Sequence, residues 1–171
     1  MRTHERGGLA AVIVTPMGSL TVASYHPHPS RHPEEKASDF VRLVADLTGP
    51  LIVCGDLNCI SPEDAIDRDA LINSFHRFSR EPEASVDQFI ASGQHVFRAL
   101  GALGLTDAIP SAGRRYSIPT DLISADKSSG MRIDHIFANK SIEVVDGEVV
   151  HNAASNRASD HHPVKVAFRV A

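Results

Sequence analysis

A chain of 171 residues, 42% hydrophobic and 22% charged, has the length for one domain and the composition for one core. Its 17 basic against 21 acidic residues, a net charge of −4, argue against a protein that grips long nucleic acids through a basic surface. No stretch reaches the roughly 20 apolar residues that cross a bilayer, and the start lacks the apolar segment of a signal peptide, so no membrane partner and a cytoplasmic location are expected.

Residues 1–8 read as a short polar lead-in, with Glu5 its one acidic residue and no strand to hold it. Strands are expected over 9–14 and 20–25, joined at Met17-Gly18-Ser19 by a tight hairpin. In His26-Pro27-His28-Pro29-Ser30-Arg31-His32 the prolines keep the chain extended, and His28 and His32 read as exposed loop residues. A helix is predicted from about Pro33, with Glu34 and Glu35 in its first turn and Phe40, Val41, Val44 and Leu47 as its apolar stripe, ending before Gly49-Pro50. Leu51-Ile52-Val53-Cys54 is an unbroken apolar run of the buried-strand kind, with Gly55 as the turn that ends it and Asp56 and Asn58 emerging at its carboxyl end.

Ser61-Pro62-Glu63-Asp64 has the form of a capped helix start, with Ala65, Ile66, Leu71 and Phe75 on the buried side. Ser85-Val86-Asp87-Gln88 has the form of a capping box, followed by Val86, Phe89, Ile90, Val96, Phe97, Leu100 and Leu103 at helical period up to Gly104. Residues 109–130, rich in Pro, Gly and Ser, read as an extended loop with a short strand near Tyr116. Arg114-Arg115 there offers a contact for one phosphate or a solvated loop, the second being the simpler reading.

Arg132-Ile133-Asp134-His135-Ile136-Phe137 is a strand-like segment with a carboxylate in its middle, for which an imidazole is a natural partner. Glu143-Val144-Val145 and Glu148-Val149-Val150 flank Asp146-Gly147, which predicts a hairpin with both glutamates facing water. Val164, Val166, Phe168 and Val170 alternate with Lys165, Ala167 and Arg169 as a strand with one buried face, and Asp160 and His161 stand just before it. Cys54 and Cys59 make no disulfide framework, and Cys54 reads as a small buried residue.

Carboxylates, a carboxamide and imidazoles at strand ends suit metal-assisted hydrolysis. Asp56, Asn58 and Asp160 are oxygen ligands of the kind Mg²⁺ prefers, with Mn²⁺ as an alternative, and His161 beside them is counted in the metal site and is the candidate general base. Taken singly, Gly55-Asp56-Leu57-Asn58 has only the composition of a surface turn.

Four segments together resemble the endonuclease/exonuclease/phosphatase family of Mg²⁺-dependent phosphodiesterases, which includes deoxyribonuclease I, apurinic endonucleases, sphingomyelinases and inositol-polyphosphate phosphatases. Thr21-Val22-Ala23-Ser24-Tyr25-His26 is like the family's strand ending in His, and Val53-Cys54-Gly55-Asp56-Leu57-Asn58 is like its GD-x-N element. Arg132-Ile133-Asp134-His135-Ile136-Phe137 is like its IDY-type strand, and Ser159-Asp160-His161-His162-Pro163-Val164 is like its SDH-x-PV ending. The resemblance implies that Asp134 orients His161 and that His26 contacts the scissile phosphate or protonates the leaving oxygen. It runs from near residue 9 to the end, and the family's early Asn and metal-binding Glu have no counterpart, so the chain resembles the C-terminal portion of a member.

The expected fold is α/β: a mixed β-sheet with flanking helices, part of a deoxyribonuclease I-like layered sandwich. Its strands should expose apolar surface on their inner faces, which favours a homodimer or association with a missing N-terminal half. The leading functional expectation is a phosphoesterase acting on nucleic acid or a small phosphodiester. The alternatives are a non-catalytic fragment of such an enzyme and, against the acidic balance, a nucleic-acid-binding module without chemistry.

Overall fold

The computed structural model describes residues 2–4 as backbone, and residues 7–16 and 18–170 in full. Six strands form a mixed sheet in the order β1-β2-β3-β4-β6-β5: β1 (Arg2–His4), β2 (Gly8–Thr15), β3 (Gly18–Tyr25), β4 (Leu51–Asp56), β5 (Leu105–Asp107) and β6 (Asp134–Asn139). β3 and β4 run parallel, joined by a crossover through α1 (Pro33–Val44), while the remaining pairs are antiparallel. Helices α1 and α3 (Pro82–Ala102) cover one face, where Phe40, Leu43, Val96 and Leu100 pack against Ala23, Tyr25, Val53 and Phe137. A two-stranded sheet, β7 (Ile142–Val149) with β8 (Val164–Val170), covers part of the other face, packing Val144, Val166 and Val170 against Leu20, Ile52 and Ala138. The remaining helices are α2 (Arg68–Phe75) and the single turn α4 (Ser155–Ala158). No described helix is long and apolar enough to cross a membrane.

This is the expected mixed α/β layering, and the hairpin β2–β3, helix α1, strand β4 and strand β8 form where period and turn chemistry put them, except that α1 ends at Val44, so that Leu47 of the expected stripe lies beyond it. Several local expectations are overturned. Arg2–His4 is a strand rather than part of a strandless lead-in: it pairs with residues 8–10 and covers the edge that β2 would otherwise leave open. Glu5, and Met17 of the hairpin turn, lie outside the described residues. Gly55 does not end β4, because the strand runs on to Asp56. Glycine is required there because a Cβ would lie 2.1 Å from the backbone oxygen of Tyr25 on the neighbouring strand.

The predicted helix start at Ser61 is a turn instead, in which Ser61 Oγ accepts the Glu63 amide. Asp64 is drawn off to Arg132, and α2 begins at Arg68 with Asp67 capping Ala70 N, so that Ala65 is exposed. Helix α3 starts at Pro82 rather than Ser85. Gln88 donates to the Arg31 carbonyl instead of closing a capping box, and Leu103 falls beyond the helix and is exposed. Asp146-Gly147 is no hairpin turn: β7 passes straight through it with a bulge between Val144 and Asp146, and its partner is β8. Strand β5 was not expected. Asp134 opens β6 rather than sitting in its middle, and residues 109–130 form a loop with one 3₁₀ turn (Ser111–Gly113) and a single bridge between Ile118 and Met131.

On the inner face, Leu9 and Ile13 of β2 are 40% and 47% exposed, where β7 and β8 do not reach.

Candidate active site

Strands β3, β4 and β6 all deliver polar residues to one end of the inner face. In the ladder registers Ser24 pairs with Cys54 and Asp56 with Asp134, so the two-residue period puts His26, Asp56 and Asp134 on the side that carries Leu20, Ile52 and Ala138. His26 N donates to the Gly7 carbonyl (3.0 Å), which anchors the residue just past β3.

Beyond β4 the chain folds back on itself. Asp56 Oδ1 accepts the Asn58 amide at 2.9 Å, and Asn58 adopts a left-handed φ of 46°, which Asn tolerates better than most residues. The buried Asn58 carboxamide donates to the Pro27 carbonyl (3.0 Å) and to Asp56 Oδ2 (3.4 Å), tying the loops after β3 and β4 together. The Leu57 amide donates to Ile133 O (2.8 Å), which locks that turn against the start of β6.

Asp134 Oδ2 lies 2.7 Å from His161 Nδ1, a charge-assisted hydrogen bond between the first residue of β6 and the segment before β8. His26 Nε2 lies 3.4 Å from Asp56 Oδ2. Four of the six expected site residues are thus within direct reach of one another in pairs, and Asn58 joins through Asp56. Asp160 is exposed and accepts the Ser159 hydroxyl (3.1 Å), and among the described contacts it touches neither Asp56 nor Asn58. Its neighbour His162 points away from the site: it is buried, faces Ser155 Oγ (3.1 Å) and stacks on His151 with ring centroids 4.0 Å apart.

The electrostatics follow from this crowding. Burial pushes the Asp56 carboxyl above the ordinary value, the Asn58 amide counters it, and the neighbouring Asp134 carboxylate raises it further. The hydrogen bond to Asp134 raises the His161 imidazole above its ordinary value against a smaller desolvation effect. A half-buried carboxylate beside a second one is a site where a cation relieves repulsion. Among the described residues no three His, Cys, Asp or Glu side chains close into a cage. Mg²⁺ does not need one, since it binds through one or two carboxylates and keeps several waters, so the oxygen donors present fit that ion.

Three supporting residues escaped the sequence reading. Ser117, fully buried, accepts the amides of Ile133 (3.0 Å) and Asp134 (3.2 Å) on its hydroxyl, while its carbonyl accepts His162 N (2.8 Å). Thr120 Oγ1 donates to Ser159 O (2.6 Å) alongside it. This clamp holds the Asp134 and His161 segments together. Lys36, fully buried, donates to Asn58 O (2.7 Å) and Pro29 O (3.1 Å), and burial lowers its ammonium to about 8. Its place one helical turn before Phe40, on the apolar stripe of α1, was the available signal. Arg132 is buried between Asp64 and Asp107, at 2.8 Å and 2.6 Å. Arg114 is likewise committed internally, to Ile109 O and Glu63, while Arg115 is exposed.

Comparison with solved structures returns proteins of this layered fold. The endonuclease/exonuclease/phosphatase from Beutenbergia cavernae is 19% identical with a TM-score of 0.63, over 95% of this chain and 39% of that one. The 3′ phosphatase NExo from Neisseria, solved with a product DNA hairpin, is 21% identical with a TM-score of 0.61, over 94% and 64%. The AP endonuclease from Archaeoglobus fulgidus is 17% identical with a TM-score of 0.59, over 88% and 62%. The chain therefore spans less than two thirds of the length of each. Comparison with curated proteins returns no match. The model of the Endonuclease/Exonuclease/phosphatase family matches residues 2–161, nearly the whole chain, and the protein belongs to that family.

Proposed function

We propose that the protein hydrolyses phosphoesters with the help of a divalent cation, using His161 as general base. The observation that carries this reading is the 2.7 Å bond from His161 Nδ1 to Asp134, with the two carboxylates Asp56 and Asp134 opposite each other at the strand ends. Family membership and the printed activities of its neighbours, a 3′ phosphatase and an AP endonuclease, point the same way.

With Nδ1 committed to Asp134, Nε2 of His161 is the nitrogen that takes the proton of an attacking water. The water oxygen bonds to phosphorus as the ester P–O bond breaks. His26, at 3.4 Å from Asp56, contacts the phosphate or protonates the departing oxygen. Asp56, Asn58 and Asp160 would hold an ion, Mg²⁺ or Mn²⁺, with Asp160 drawn in from its exposed place before β8, and the ion would supply charge neutralisation at the phosphoryl oxygens. The desolvation of Asp56 supports its place in that set, and Asn58 stays aligned through Pro27 and Lys36.

The test is hydrolysis of a chromogenic phosphodiester by the purified chain with and without Mg²⁺ or Mn²⁺, with His161→Ala as the blank. Metal-dependent turnover lost in the variant is the expected result. Turnover retained by His161→Ala, or no turnover by a folded chain, overturns the assignment.

A further inference from the structure

Beside the site, and sharing Asn58 with it, lies an open cavity of about 920 Å³. Its walls are α2 and the turn after it, the first turns of α3, the loop 26–32 at Pro29 and Ser30, and the loop 118–131. Its apolar lining includes Phe75, Phe78, Phe89, Ile123 and Met131. Phe78 and Ile123 are 75% and 42% exposed, apolar surface left open to water next to a polar catalytic end. The charged groups that line it are Asp67, Asp69 and Asp126 against Arg77 alone, so the lining is net acidic. The remaining lining is hydroxyl and carboxamide: Asn73, Ser74, Ser79, Gln88 and others.

We infer that this cavity receives the organic portion of a small phosphoester, an uncharged aromatic or apolar group, while the phosphorus sits at Asp56 and His161. The inference rests on the phosphoesterase reading and names the substrate class within it. A polyanionic nucleic-acid backbone would meet three carboxylates and one guanidinium there, the reverse of the basic groove that such ligands need. A flat apolar group would cover Phe78, Ile123 and Met131, and a volume of this size is that of small-ligand pockets with mixed apolar and hydrogen-bonding walls. Asn58 is the junction, since its carboxamide lies 3.4 Å from Asp56 Oδ2 while the residue also lines the cavity.

The experiment compares binding of 1-naphthyl phosphate, methyl phosphate and a ten-nucleotide single-stranded DNA by calorimetry, with Mg²⁺ present to offset the Asp56–Asp134 pair and on the His161→Ala chain so that nothing turns over. The two monoesters carry the same dianion, so their ratio reads the organic group alone. 1-Naphthyl phosphate is expected to bind about tenfold tighter than methyl phosphate or better. Phe78→Ala and Asn73→Trp, the second filling the cavity from an exposed position of α2, should each collapse that ratio toward one while methyl phosphate binding and thermal stability stay unchanged. Equal binding of the two esters, no detectable binding of the naphthyl ester, a ratio that survives both variants, or tighter binding of the oligonucleotide than of 1-naphthyl phosphate overturns the inference. These readouts need no turnover, so they fail separately from the proposed hydrolysis, which the His161→Ala assay judges.

Discussion

Asp56 and Asp134 stand directly opposite each other across the β4–β6 ladder, the last residue of one strand against the first of the next. Like charges so placed repel, and the molecule offsets them with two imidazoles, His161 on Asp134 and His26 near Asp56. Replacing Asp134 by Asn keeps the shape and removes the charge. In metal-free protein, NMR titration of the His161 ring should then move down toward the ordinary imidazole value, because the Asp134 hydrogen bond is the largest cause of its elevation. Turnover should fall by about 10² or more as the base loses its orientation. A variant that left the His161 titration unmoved would remove Asp134 from the orienting role.

Ser117 is the hinge of the clamp, and its hydroxyl serves two amides at once. Ser117→Ala leaves both N–H groups buried without an acceptor, at a cost of about 1–3 kcal/mol. The denaturation midpoint should fall accordingly. The metal-free His161 titration should also move, since the segment carrying Asp134 loosens against the one carrying His161. A stability loss with an unmoved titration would make Ser117 purely structural.

The parts of the fold that the sequence disclosed are those set by a sustained apolar run or period: β2, β3, β4, α1, the body of α3 and β8. Short cap and turn signals misled, because they compete with partners distant in sequence. Asp64 bonds Arg132 across 68 residues and so cannot start a helix at Ser61. Asp146-Gly147 runs on in register with Ala167 and Val166 instead of turning, because β8 supplies partners there, and the bulge falls just before it. At the site, His26, Asp56 and His161 were legible as residues at strand ends, and Asp134 as a carboxylate in want of an imidazole partner, though the pattern places it inside its strand rather than at the start. Ser117 and Lys36 were not, since what they hold lies 16 and 22 residues away and depends on packing.

His135, one residue past Asp134 on the opposite face of β6, is buried with one ring nitrogen on the Cys59 carbonyl (3.0 Å) and the other without a partner. Burial lowers its imidazole to about 4. Between that value and the ordinary 6.5, the unfolded chain binds a proton that the folded one refuses. Stability from this group is therefore complete above pH 6.5 and is lost as pH falls toward 4, by about 3 kcal/mol in total. His135→Gln keeps a donor for Cys59 O and removes the titration. Chemical denaturation at a series of pH values should show a shallower acid loss in the variant across that window, and parallel curves would refute the assignment.

Gly55 couples the fold to the site most tightly. Its φ of +147° is a conformation that side chains rarely adopt, and a methyl group would meet the Tyr25 carbonyl oxygen at 2.1 Å, with Tyr25 itself buried against Phe40. The collision falls between β3 and β4 just where His26 and Asp56 leave them, so relief must come from separating those strands. Strain at such a backbone costs about 1–2 kcal/mol and overpacking about 1–3 kcal/mol, which puts Gly55→Ala near 3 kcal/mol of lost stability. Because the displacement widens the His26–Asp56 approach of 3.4 Å, turnover should fall even at temperatures where the variant remains fully folded. Gly101→Ala, in α3 with nothing within 4 Å of the added methyl, is the matched control and should be neutral or stabilising by about 0.5–1 kcal/mol. Thermal melts and turnover of the two variants side by side decide the matter: equal behaviour of Gly55→Ala and Gly101→Ala would mean that β3 and β4 can part without cost, and that the contact at Tyr25 does not hold the site together.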